Sequence, residues 1–273
     1  SDSAKDHHII ARFPGESYQD LLDRETVEVP ASLREDTSTF LGSEDIPISR
    51  WTSREFFDLE VEKVWRKTWQ AACRESQVTK VGDYFVYDIV NDSILITRTA
   101  DGELKGYHNS CLHRGRALKR GAGNSTELRC PYHGFTWELD GSFREMPGQW
   151  DFAHVECDKF SLPEVSIDTW GGWIFINMAE EPENFREYLG VLPEHFDRWA
   201  PQDTYITMHV EKVINANWKA VVEAFIESYH AIATHPQIMA YQGIDNSQYD
   251  VWGDNVSRTI TTSGTINPTH AHE

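Results

Sequence analysis

The sequence is short of several things, and each shortage removes a class of protein. No run of about eighteen consecutive apolar residues occurs, so no membrane-spanning helix is expected. The opening SDSAKDHHII is polar and lacks the apolar stretch of a secretory signal. Cysteine occurs only four times, too rarely for a disulfide scaffold in 273 residues, and free thiols suit a reducing cytoplasm. Basic residues are outnumbered, 25 Lys and Arg against 44 Asp and Glu, for a net charge of −19. Phosphate backbones are held through Lys and Arg, so no nucleic-acid partner is expected. Gly102, Gly106 and Gly121 form no phosphate-cradling pattern, and direct binding of NADH is not expected. With 40% hydrophobic residues the chain can still bury a sizeable core, in one or two domains.

What the chain does have is two paired sets of metal donors. Cys111-Leu112-His113 and Cys130-Pro131-Tyr132-His133 each offer one thiolate and one imidazole on a tight turn, with Arg114 to Arg129 between them. A 2Fe–2S cluster bound by two Cys on one iron and two His on the other needs that set. Imidazoles leave the second iron less electron-rich than thiolates would, which raises its potential. Their N–H can also pass a proton with the electron. A Cys2His2 zinc site would use the same residue types. Zinc pairs are usually spaced more widely than Cys-x-His, and this spacing favours the cluster. Gly115 and Gly134 follow the two pairs, where backbone must come close to the sulfurs and aim N–H groups at them.

A second constellation lies further on. Glu223, Glu227 and His230 are spaced to share one face of a helix, and His235 follows with Pro236 ending the helix behind it. Two imidazoles and a carboxylate make the facial triad of non-haem Fe(II) oxygenases, with positions left open for O2 and substrate. Taken alone, a helical His is more often a hydrogen-bonded core residue; a redox pair in the same chain makes the metal reading stronger. For Glu227 the plain alternative is an exposed helix carboxylate. His108, His154, His195 and His209 lack metal-like neighbours and read as structural or surface groups. His7, His8, His270 and His272 lie near the ends and could bind metal adventitiously. Cys73 and Cys157 read as core or surface thiols.

The rest of the pattern gives an element list. Residues 1–50 read as a polar arm, 51–178 as the cluster domain and 179–273 as the start of a second, metal-binding domain. Thr52-Ser53-Arg54-Glu55 reads as a capping box before a core-facing helix through Phe57, Val61, Val64 and Trp65. Tyr84–Val90 and Ser93–Thr97 read as strands around a turn at Asn91-Asp92, with further turns at Asp101-Gly102 and Asp140-Gly141. Residues 147–163 read as a turn-rich boundary and Trp173–Asn177 as a strand. Glu181 to Ala200 reads as two helical pieces broken near Pro193. Thr207–Ile214 alternates like a strand, and a helix is expected from near Asn215.

At CLHRG (111–115), CPYHGFTW (130–137) and NWKAVVEAFIESYHAIATHP (217–236) the chain resembles the α subunits of Rieske non-haem iron ring-hydroxylating oxygenases. Two separate motifs in the expected order carry the likeness from about residue 50 onward. It implies an α+β fold: a small antiparallel-β Rieske domain, then a helix-on-β-sheet catalytic domain of helix-grip type, here cut short. By the likeness, Cys111, His113, Cys130 and His133 hold the cluster, and His230 and His235 hold a mononuclear Fe(II). Glu227, in the Glu-Ser-Tyr-His element, would bridge an iron-ligating His and a cluster His, expected to be His133 of a neighbouring subunit in a ring-shaped homotrimer. The family often has Asp at the Glu227 position and Asn where Ala224 stands. Its third iron ligand, a carboxylate, is expected beyond Glu273, and Asp245, Asp250 and Asp254 are not put in its place.

The likeness also implies partners and chemistry. Electrons would come from NAD(P)H through a ferredoxin or flavin reductase, and β subunits can accompany such trimers. Local charge at Arg114, Arg116, Lys119, Arg120 and Arg129 suggests a docking patch for an acidic electron donor, against the plain reading of solvated loop charge. The leading expectation is mono- or dioxygenation of an aromatic compound. Oxygenative demethylation or hydroxylation of a quaternary amine or methyl ether is the alternative. Two further classes are a Rieske electron carrier without chemistry of its own and a zinc-stabilised interaction module.

Overall fold

The structure is a computed structural model, described over residues 15–37, 42, 44–239 and 241–263. His7, His8, His270 and His272 lie outside the described residues. The chain divides into two compact units, one formed by 54–188 with 196–210 and the other by the remaining segments.

The first unit is built from β-strands. In chain order they are β1 (Gln70–Arg74), β2 (Asp83–Ile89), β3 (Asp92–Arg98), β4 (Leu104–His108), β5 (Ala122–Asn124), β6 (Leu128–Arg129), β7 (Thr136–Trp137), β8 (Phe143–Glu145), β9 (Glu164–Trp170) and β10 (Trp173–Asn177). An antiparallel sheet takes the order β1-β10-β9-β4-β3-β2-β5, and β6-β7-β8 form a smaller one. Ile94, Leu95 and Ile96 on central β3 are all fully buried. Side chains alternate across a strand, so Leu95 enters one core cluster while Ile94 and Ile96 enter another. Each such burial contributes about 1.5–3 kcal/mol before entropy is counted. The Leu95 cluster also holds Tyr107, Phe135, Trp137, Cys111 and Cys130, which ties the two cysteines to the aromatic core.

Several local expectations shift. The β2–β3 turn is Val90-Asn91, one residue earlier than the Asn91-Asp92 expected, because Ile89 pairs with Asp92. Val90 accordingly takes φ 55°. Residues 147–163 are turn-rich, but the strands on either side of them lie in the same unit. Helices Phe185–Leu189 and Leu192–Phe196 part at Gly190, not at Pro193. Pro193 lies in the first turn of the second helix, where a missing N–H costs no intrahelical bond. Ser53 closes the short helix Ser49–Thr52, its amide donating to Ser49 O at 2.8 Å, and the helix Arg54–Glu60 runs on into a π turn at Val61–Trp65. Val61 is buried there and Val64 is exposed, so the expected core face is only partly used. Thr207–Ile214 is not a strand: among the described residues no strand lies beside it in a ladder, and Met208 and Val210 are exposed. Alternation supplies an apolar strip, but a strand also needs a neighbour for its backbone groups.

The second unit holds the helices Tyr18–Leu22, Ala31–Arg34, Trp218–Ile226 and Ala231–Thr234, with a hairpin of β11 (Gln242–Trp252) and β12 (Val256–Ser263). The described part of the N-terminal arm wraps this hairpin. Asp250, fully buried, accepts from the Thr37 amide at 2.9 Å, Gln248 Nε2 at 2.9 Å and Arg258 Nη2 at 2.7 Å. Arg258 also donates to Glu35 O at 3.1 Å, and Gln19 Nε2 donates to Gln248 Oε1 at 2.9 Å. Burial pushes the Asp250 carboxyl up, but Arg258, Gln248 and the Thr37 amide hold it below the usual carboxylate range. Among the described residues no helix is long and apolar enough to cross a membrane.

Candidate metal centres

The two Cys–His loops fold alike. Cys111 N donates to Arg116 O and Gly115 N to Cys111 O, both at 2.8 Å. Cys130 N donates to Phe135 O at 2.8 Å and Gly134 N to Cys130 O at 3.1 Å. Each turn closes through a glycine with positive φ, 73° at Gly115 and 79° at Gly134, as side-chain-bearing residues rarely do. The cysteines are buried, while His113 and His133 are exposed. Their rings lie 4.8 Å apart at 64°; His113 stacks on Phe135 at 4.8 Å, and Tyr132 lies 3.7 Å from the His133 ring. Burial raises the Cys111 thiol, the His113 and Arg114 amides donate to its sulfur, and the nearby Cys130 thiol opposes its ionisation.

Among the described residues, no group of three or more His, Cys, Asp or Glu side chains is drawn together as a single ion would require. The donors come as pairs, Cys111 with Cys130 and His113 with His133. Two irons with two protein donors each ask for that arrangement, so the residues fit a 2Fe–2S cluster. The thiolates would sit on the core side and the imidazoles at the solvent edge, where electrons enter. Of the expected docking cations, Arg114, Arg116 and Arg120 are exposed, but Lys119 is not free. Its Nζ donates to Ser125 Oγ at 2.8 Å and lies 5.5 Å from the centre of the Tyr84 ring, and desolvation lowers its pKa. Lys119 therefore drops out of the patch.

Glu223, Glu227 and His230 do not share a helical face. The helix Trp218–Ile226, capped by the Asn217 side chain, stops at Glu227, whose backbone is extended. A new helical turn starts only at His230. The stop is built by hydroxyls: Ser228 Oγ lies 2.9 Å from Tyr249 Oη and 3.0 Å from Ser247 Oγ, and Thr259 Oγ1 donates to Ile226 O at 2.6 Å. The break leaves Glu223 exposed and swings Glu227 onto His230. Glu227 Oε2 accepts from the His230 amide at 3.0 Å, and Oε1 lies 2.5 Å from His230 Nδ1. Burial pushes the Glu227 carboxyl up, but the His230 amide and ring hold it below the usual range. With Nδ1 engaged, Nε2 is the nitrogen of His230 left for a metal. The His235 ring lies 5.4 Å from that of His230, and the paired imidazoles fit two positions of a mononuclear iron site. Sequence pattern gives no sign of Ser228, Ser247 and Tyr249, because β11 shows no clean apolar–polar alternation.

Comparison with known proteins assigns two domains along the chain. The family model of the Rieske 2Fe–2S domain matches residues 68–157, and that of the ring-hydroxylating α-subunit catalytic domain matches 185–273. A Rieske domain followed by that catalytic domain defines a class, and the chain belongs to it: the α-type subunits of Rieske non-haem iron oxygenases. Among individual proteins, it is 28% identical to the glycine betaine monooxygenase oxygenase subunit of Pseudomonas aeruginosa, over 76% of this chain and 49% of the relative. It is 28% identical to the carnitine monooxygenase oxygenase subunit of Escherichia coli K12, over 77% of this chain and 57% of the relative. The chain thus spans about half the length of these curated relatives. A crystal structure of a quaternary ammonium Rieske monooxygenase with L-carnitine superposes with TM-score 0.69 at 25% identity, covering 78% of this chain and 61% of that one. Naphthalene 1,2-dioxygenase from Rhodococcus sp. bound to indole gives TM-score 0.65 at 28% identity, covering 72% and 50%.

Proposed function

We propose that the chain is the terminal oxygenase component of a Rieske system that hydroxylates a quaternary ammonium compound. The observation that carries the oxygenase reading is the presence of both donor sets in one chain, since an electron carrier has no use for His230 and His235. The substrate class rests on the relatives, whose names specify glycine betaine and carnitine. They favour the quaternary amine over the aromatic ring that the motifs alone put first. Ring hydroxylation stays as the second reading, supported by the likeness to naphthalene 1,2-dioxygenase.

When bound, the two iron groups supply one-electron transfer and O2 reduction, with one oxygen atom going to substrate and the other leaving as water. The protein's part is placement. His113 and His133, both exposed, would hold the cluster where a ferredoxin or flavin reductase fed by NAD(P)H could reach it. Arg114, Arg116 and Arg120 offer that donor positive charge. Glu227 fixes His230 in the tautomer that presents Nε2. In a homotrimer the same carboxylate would reach toward the cluster edge of the neighbouring subunit, coupling electron to proton transfer. A solved carnitine oxygenase carries the description of inter-subunit electron transfer. The free thiols suit a cytoplasmic setting. The test is O2 uptake scored with product, using reductase, NADH and a panel of carnitine, glycine betaine and naphthalene. Product from naphthalene alone would remove the quaternary-amine reading.

A further inference from the structure

We propose that Arg114 and Tyr132 form a cationic strap beside His133 that raises the reduction potential of the bound cluster, a role separate from donor docking. Three side chains are stacked in a row. The Tyr132 ring lies 3.7 Å from the His133 ring, centre to centre, tilted by 32°. The Arg114 guanidinium lies 5.8 Å from the centre of the same Tyr132 ring, at cation–π distance. Arg114 follows His113 on one ligand turn, and Tyr132 precedes His133 on the other. The contact therefore ties the two turns together among exposed residues.

The two imidazoles are supported in unlike ways. His113 stacks nearly flat, at 10°, on Phe135, which is buried in the aromatic core. His133 has an exposed phenol ring beside it instead, and that ring carries a cation. A guanidinium stacks through its planar face and stays charged at any working pH. Laid end to end, the two distances keep this charge within about 10 Å of the His133 ring, about one screening length at 0.1 M salt. Among the described residues no carboxylate pairs with Arg114. Reduction moves one electron from a ferredoxin or flavin reductase onto the cluster, and a positive charge fixed nearby favours the reduced form. Arg116 and Arg120 are exposed on the same segment, but among the described residues no aromatic ring seats them.

The test is a redox titration of the intact, cluster-loaded protein, with dithionite and mediators, followed by visible absorption. Arg114→Gln should leave about threefold less reduced cluster at a given potential, a midpoint lower by about 30 mV at 59 mV per tenfold for one electron. Arg114→Lys keeps the charge and Tyr132→Phe keeps the ring, and both should titrate close to the parent. Tyr132→Leu removes the seat and should lower the midpoint as well. Because the cation acts through that ring, the double variant should fall no further than the lower of the two single variants. Arg120→Gln removes the same charge from an unseated position and should move the midpoint less. Iron and sulfide contents report whether each variant holds an intact cluster. An unchanged midpoint in Arg114→Gln, an equal shift in Arg120→Gln, or additive shifts in the double variant would overturn the assignment. The midpoint belongs to the cluster alone, so a protein that oxygenates no quaternary amine would lose the proposed substrate and keep the strap. Product from carnitine with no midpoint shift would do the reverse.

Discussion

Glu227 shows how much one side chain's role depends on backbone. On a continuous helix its carboxylate would face solvent; at a helix stop it grips both the amide and Nδ1 of His230. Glu227→Gln should leave iron and sulfide contents unchanged and lower product formation by about 10- to 100-fold. Metal analysis beside a turnover assay checks this, and near-normal turnover would take the bridge out of the scheme. Asp250 is a purely structural counterpart. Its folded pKa lies below the ordinary 3.8, so its contribution to stability is full above that value and is lost as pH falls through the folded one. Asp250→Asn leaves Arg258 half-answered in a buried setting and should cost about 3 kcal/mol at neutral pH. In urea unfolding the gap between parent and variant should shrink as the pH falls below the ordinary 3.8. A gap independent of pH would mean that packing, not charge, sets the effect.

Among the elements, the two ligand turns are near copies, yet their glycines are not equally replaceable. Both take positive φ, which costs a side-chain-bearing residue about 1–2 kcal/mol. A Cβ at Gly115 would meet nothing nearer than Ser110 Oγ at 3.8 Å, whereas one at Gly134 would meet Arg129 Nη2 at 3.1 Å and Pro147 Cγ at 3.3 Å. Gly134→Ala should therefore lower melting temperature and cluster content more than Gly115→Ala does. The reverse order, read by thermal melts and iron analysis, would show that φ alone governs these turns. The break between Trp218–Ile226 and Ala231–Thr234 is the other decisive element. It comes from hydroxyls on a hairpin twenty residues downstream, which no local helical pattern in 217–236 could announce.

At the scale of the molecule, two metal centres with different ligand chemistry should respond differently to removal. If His230 and His235 hold a mononuclear iron as proposed, a chelator should strip it and abolish the proposed O2 uptake, while the red-brown absorption of the thiolate-bound cluster persists. Loss of colour and activity together, at a single iron stoichiometry, would leave only one kind of centre. The proposed docking patch belongs to the same scale. Arg116→Glu should slow reduction by the electron donor and weaken its salt dependence, whereas Lys119→Gln, at a half-buried cation bonded to Ser125, should act on stability instead. Stopped-flow reduction at two ionic strengths distinguishes them, and unchanged kinetics in Arg116→Glu would reject the patch.

The sequence alone made the candidate cluster ligands legible, because Cys-x-His and Cys-x-x-His on glycine-closed turns are a local arrangement in which spacing and conformation coincide. It also determined the hairpins of the first unit and the candidate pair His230 and His235. Only the tertiary structure decided where the second motif's helix stops, which face Glu227 takes and that Lys119 is spoken for. It also set the residues 15–37 against β11 and β12, and left Thr207–Ile214 without a sheet despite its alternation. The helix stop and the seating of the arm depend on partners remote in sequence, a hydroxyl on β11 and a buried carboxylate at Asp250, and Thr207–Ile214 has no neighbouring strand among the described residues. Lys119 is taken up by Ser125 only six residues on, through a fold of the loop that its spacing does not announce. Periodicity records what a segment can present, and only packing fixes what it meets.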